Sequence, residues 1–149
     1  MGSKIIVTQG LKIYPASGRV FIQNGKMISL SERDQYEYYC WFLSWIVKEE
    51  TIQTIEPDTF TIYRMELDEE VVNINQPYPI ARLIKVNGIS YFEYITTLYL
   101  KSGKQPNVLR LTCLHREDLS DNLQHLTVSQ IRKVIKGIFS LQLNTLSGI

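Results

Sequence analysis

Histidine and cysteine are scarce in this chain: His115, His125, Cys40 and Cys113 are the whole supply among 149 residues. None of the closely spaced Cys or His pairs that structural zinc sites use is present. No metal site and no cofactor is therefore expected. A disulfide framework in a chain of this size needs more cysteines. A reducing, cytoplasmic setting is expected, with Cys40 as a small buried hydrophobe. The phosphate-cradling patterns G-x-G-x-x-G and G-x-x-x-x-G-K-[ST] are missing, as are G-x-S-x-G and H-E-x-x-H. Lys101-Ser102-Gly103-Lys104 has the residue types of a phosphate loop but lies between strand patterns, so it reads as a basic hairpin tip. No apolar run nears the roughly 20 residues of a membrane span. The start, Met1–Val7, is too short an apolar run for a secretory signal. No membrane partner is expected. Repeats and low-complexity stretches are also missing.

What is there is ordinary for a globular protein: 44% hydrophobic and 21% charged residues. The length suits one domain over 1–149, burying roughly 68–70% of the unfolded surface. The net charge of +1 is unevenly spread. Residues 1–79 hold 7 Lys/Arg against 11 Asp/Glu, a balance of −4, and residues 80–149 hold 9 against 4, a balance of +5. Such asymmetry marks either an acidic-partner or nucleic-acid face, or two complementary solvated patches.

Hydrophobic periodicity gives the elements. Ile5–Val7 and Leu11–Tyr14 read as short strands. Arg19–Gln23 and Met27–Leu30 flank Asn24-Gly25, and Ile80–Val86 and Ile89–Leu100 flank Asn87-Gly88. Asn-Gly between apolar alternations is a strong hairpin signal, because a type I′ turn needs two positive φ values. Thr59–Leu67, Val71–Asn75 and Val108–His115 add further strands, with Asp68-Glu69-Glu70 as a turn.

Between the first and second groups of strands lies Tyr36–Val47, rich in aromatic rings. Ser31 is a suitable N-cap, with Glu32 and Asp34 at the positive end of a helix dipole. At about 100° per residue, Tyr36, Tyr39, Cys40, Leu43, Ile46 and Val47 share one stripe. Tyr38, Trp41, Phe42 and Trp45 form a second. A helix that packs one side on a core needs one stripe, so the second must be covered by the chain's own tail or by another molecule. Thr127–Leu143 carries Val128, Ile131, Val134, Ile135, Ile138 and Phe139 at helical spacing. The expected fold is α+β: a mainly antiparallel sheet of about six to eight strands built from hairpins, a central aromatic-rich helix over 31–50 and a C-terminal helix over 127–143.

Three function classes follow. The first is a non-enzymatic protein–protein interaction module, such as an adaptor, a chaperone-like protein or a regulatory subunit. Its binding residues would be Tyr38, Trp41, Phe42 and Trp45, with another protein or a second copy as partner, since Trp and Tyr are enriched at interface hot spots. The second is a DNA-binding transcriptional regulator. Arg132, Lys133 and Lys136 share the polar side of the last helix, and Arg82, Lys85, Lys101, Lys104 and Arg110 add positive charge. Leu126–Lys133 looks like the second helix of a helix-turn-helix, without the usual turn glycine. Arg19–Leu43 (strand, Asn-Gly, strand, Leu-Ser-Glu-Arg-Asp, apolar segment) resembles the opening of winged-helix effector domains of bacterial response regulators. The likeness covers about a sixth of the chain and stops where those domains continue with two helices and this chain continues with strands. The third class is a cysteine-dependent enzyme. Cys113 and His115 point to one side of a strand, with Asp118 nearby to orient the ring. Leu109 and Leu111 share that side, which marks it as core. The first class is preferred, and no catalytic residues are expected.

Overall fold

In the computed structural model, residues 2–13, 18–34, 37–45, 53–73, 90–118 and 125–143 are described. They form a mostly β protein. Ten strands, β1 (Lys4–Val7), β2 (Leu11–Ile13), β3 (Arg19–Gln23), β4 (Lys26–Ile28), β5 (Tyr39–Ser44), β6 (Gln53–Ile55), β7 (Asp58–Asn73), β8 (Ser90–Lys101), β9 (Val108–Asp118) and β10 (Phe139–Gln142), accompany one helix, α1 (Val128–Ile135). Eight strands make one curled antiparallel sheet in the order β10-β1-β7-β8-β9-β5-β3-β4, and β2 pairs with β6 in a separate ribbon.

This corrects the α+β expectation at two places. The aromatic helix over 31–50 does not form. Leu30–Glu32 is a single 3-10 turn, and Tyr39–Ser44 is strand β5, held between β3 and β9; residues 35, 36 and 46–50 lie outside the described residues. The reason is two-sided burial. Cys40 and Phe42 enter the main core, while Tyr39 and Trp41 belong to a smaller cluster with Phe21 and Leu114 on the opposite face. A strand covered on both faces reads as a continuous apolar run, and on a helical wheel that run fills two stripes. Aromatic residues also favour the pleated surface.

The second correction is the C-terminal helix over 127–143, which stops after Ile135. Thr127 and Gln130 form a capping box: Thr127 Oγ1 accepts from the Gln130 N–H at 3.2 Å, and Gln130 Oε1 accepts from the Thr127 N–H at 2.8 Å. Gly137, at φ +85°, ends the helix. The Phe139–Gln142 segment then becomes β10 against β1. Asp68-Glu69-Glu70 is no turn either, since β7 runs through it.

The Asn24-Gly25 turn is as expected, with φ of 52° and 72°. Its Gly25 N–H donates to the Val134 carbonyl of α1 at 2.7 Å. A Cβ at Gly25 would sit 2.7 Å from the Lys136 carbonyl oxygen, so only glycine allows this approach. α1 thus lies against the inner face of the curled sheet. Its Ile131, Val134 and Ile135 join Val20, Ile22, Phe42, Phe139 and Leu141 in one core, with the Phe42 and Phe139 rings 4.9 Å apart. A disulfide joins Cys40 and Cys113, directly opposite in the β5–β9 register and buried in that core. The paired Cys40 is buried as expected but is not free.

Candidate partner-binding surface

Antiparallel register decides which side chains share a face, because directly opposed residues stand side by side. Two ladders cross the inner face of the sheet. One runs Val20, Phe42, Leu111, Leu98, Met65 through β3, β5, β9, β8 and β7. The next runs Ile22, Cys40, Cys113, Thr96, Leu67 through the same strands. Every member is buried until β7 is reached. There Met65 is 61% and Leu67 51% exposed. The apolar ladders therefore run out of cover at their last rung.

The cause lies in the strand next to it. β1 pairs with β7 only over Asp58–Thr61, and the Ile62 N–H makes a last bond to the Ser3 carbonyl at 2.9 Å. A β-bulge follows between Ile62 and Arg64. Bulges bend a strand and commonly end pairing. From there β7 continues to Asn73, bonded to β8 alone among the described strands. The bulged Tyr63 is exposed, its ring 6.2 Å from Tyr99 and beneath Lys101 Nζ at 5.7 Å. Arg64 lies over Tyr99 at 4.9 Å and bonds Glu66 at 2.7 Å. The result is a strand edge of 63–73 that no described strand pairs, with Met65 and Leu67 exposed beside it and the Asp68 carbonyl along it accepting from His125 Nε2 at 2.8 Å.

The four aromatic residues expected to bind a partner do not share one surface. Phe42 is fully buried in the inner core. Tyr38 is half-buried on the inner side, edge-on to His115 at 5.0 Å, with its hydroxyl 3.5 Å from Gln130 Nε2. Trp41 is half-buried on the outer face, stacked on Tyr39 at 5.6 Å. Only Trp45 is widely exposed, at 67%, and its N–H is anchored to the Asn107 carbonyl at 2.7 Å. Arg33 covers the outer cluster: its guanidinium lies 5.1 Å from the Tyr39 ring centre and donates to the Tyr39 hydroxyl at 2.7 Å.

Of the residues proposed to meet nucleic acid, Arg132, Lys133 and Lys136 are all exposed on α1 and its end. Arg132 Nη2 donates to the Leu141 carbonyl at 3.0 Å. The other face of α1 is committed to the core. Arg82 and Lys85 lie outside the described residues. Cys113 and His115 do share a side, and that side is core. With its sulfur bonded to Cys40, Cys113 is not a thiolate nucleophile. His115 stands opposite Tyr94, and His125 meets Tyr94 edge-on at 5.1 Å while donating from Nε2 to the Asp68 carbonyl at 2.8 Å. Among the described residues no three potential metal ligands gather.

A shallow cleft of about 610 Å³ opens beside Asp58, with Thr59, Thr61, Lys101, Ser102 and Lys104 on its walls. Partial burial raises the Asp58 pKa, but hydrogen bonds from Ser102, Gln105 and the Thr59 N–H, with Lys104 nearby, outweigh it and hold the carboxyl below its ordinary value. Asp58 accepts from Ser102 and Gln105 and so ties the start of β7 to the turn after β8. No described helix is long and apolar enough to cross a membrane. Set against known proteins, the chain matches no family model, no curated protein and no solved structure.

The β7 edge carried one sequence signal, the alternation of Tyr63, Met65 and Leu67 with Arg64, Glu66 and Asp68. That pattern marks a strand. It does not say whether a neighbouring strand covers it.

Proposed function

We propose that this protein is an interaction module that takes up an extended segment of another protein along the β7 edge beyond the bulge. One observation carries the reading: the inner apolar ladders end at Met65 and Leu67, exposed beside a strand edge that no described strand pairs. Strand addition supplies main-chain hydrogen bonds for affinity and alternate side-chain contacts for selectivity. Long exposed edges otherwise invite aggregation, and the charges alternating with Met65 and Leu67 suit a surface that must stay soluble until it is occupied. The role is binding, not catalysis.

The test is selection from a displayed library of extended peptides, followed by hydrogen exchange. A selected peptide is expected to protect amides within 63–73. Met65→Lys with Leu67→Lys is expected to abolish binding while leaving the melting temperature unchanged. Peptides that bind without protecting those amides overturn the reading. The compartment belongs to the same proposal. A cytoplasmic location requires the Cys40–Cys113 bond to be opened by the reducing thiol systems, whereas an oxidising compartment preserves it. Alkylation of free thiols in intact cells distinguishes the two.

A further inference from the structure

The charge on this edge specifies its occupant; the inference rests on the strand-addition reading above. The β7–β8 register places Arg64, Glu66, Asp68 and Glu70 on the outer face and Met65, Leu67 and Glu69 on the inner face. Arg64 is already engaged, bonded to Glu66 and lying over Tyr99. That leaves Asp68, Glu69 and Glu70, all exposed, with no basic residue beside them on the strand. Over 64–70 the edge carries four acidic residues against one basic residue.

Like charges directly across a strand pair destabilise it, and opposite charges stabilise it. A second copy of this chain would bring an equally acidic edge against this one. We infer that the occupant is a segment of a different protein in which Lys or Arg alternates with apolar residues. The basic side chains lie opposite Glu66, Asp68 and Glu70 on the outer face. The apolar ones lie opposite Met65 and Leu67, adding a further rung to the inner ladders. The acidic residues then act twice: they turn away copies of the chain, and they select the partner.

Three fluorescent eleven-residue peptides test this by anisotropy: one alternating valine with lysine, one valine with threonine, one valine with glutamate. The lysine peptide is expected to bind about tenfold more tightly than the threonine peptide, as several exposed ion pairs acting together would give. That advantage closes in about 0.5 M salt. The glutamate peptide is expected to fail. Asp68→Lys with Glu69→Lys and Glu70→Lys reverses the order of the lysine and glutamate peptides, with hydrogen exchange reporting protection at 63–73. Equal binding of the lysine and threonine peptides overturns the charge assignment and leaves strand addition standing. So does a dimer in sedimentation whose 63–73 amides are protected without peptide. Lysine-peptide protection on another acidic surface also overturns the assignment. If no peptide binds, strand addition falls and the assignment falls with it.

Discussion

The two halves of β7 share one strand and have opposite surroundings. Over Asp58–Thr61 the strand pairs with β1, β8 joins it from Thr61 onward, and Phe60 is wholly buried opposite Ile5. Past the bulge β8 is its one neighbour among the described strands, and Met65 and Leu67 are more than half exposed. The first half holds the fold together. The second pairs with β8 from Arg64 to Asn73 and has no described strand on its other side. Apolar burial and apolar exposure are thus divided along a single segment, with the division at Tyr63.

Substitution along the strand should show this division as a step. Phe60→Ala is expected to cost about 3–5 kcal/mol, as removal of a packed ring does, whereas Leu67→Ala should stay within about 0.5 kcal/mol. Urea denaturation of both variants measures the contrast, and equal costs would remove it. The disulfide lies in the buried part of the ladder that ends at Leu67. Replacing Cys40 and Cys113 by alanine removes a cross-link over a sequence separation of 73, worth up to about 4 kcal/mol by loop-closure entropy. Thermal unfolding with and without reductant gives the same quantity in the unaltered chain. Gly25→Ala should cost about 1–3 kcal/mol, because alanine at positive φ is strained and its Cβ meets the Lys136 carbonyl. The loss should appear as faster exchange of α1 amides with those of the β7 edge unaffected. The smallest effect is expected at Asp58. Its carboxyl is held below the ordinary value, so its contribution is present above the unfolded pKa, near 4, and fades as pH falls toward the lower folded value. Asp58→Asn should be slightly less stable than the parent at pH 7 and match it once the pH has fallen below the folded value, read from urea midpoints across pH.

How far the sequence led depended on the source of each signal. Local chemistry was legible: the Asn24-Gly25 turn, the Arg19–Gln23 strand and the alternation of Thr59–Leu67 all follow from neighbours in the chain. Thr127-x-x-Gln130 and Gly137 were present as start and stop signals around α1. The helical spacing of Ile138 and Phe139 obscured the stop, because a short strand after a glycine can continue an apolar stripe by coincidence. The aromatic segment was misread because a helix with two apolar stripes and a strand covered on both faces give the same list of residues. Only the partners β3 and β9, distant in sequence, separate the two. The β7 edge was illegible as a site for a related reason. Tyr63–Leu67 reads as strand from the sequence but Asp68-Glu69-Glu70 reads as a turn, and exposure depended on where β1 stops, four residues into the pairing. Trp41 and Phe42 illustrate the converse: adjacent aromatic residues face opposite sides of a sheet, so their shared hydrophobicity does not make a shared surface.

The bond between Cys40 and Cys113 has one more consequence. It ties the chain into a covalent ring that contains the whole β7–β8 hairpin. A protease that cuts once anywhere inside that ring leaves a two-piece molecule that migrates intact on a gel until reductant is added. Limited digestion run with and without reductant would therefore locate the cut relative to the cysteines.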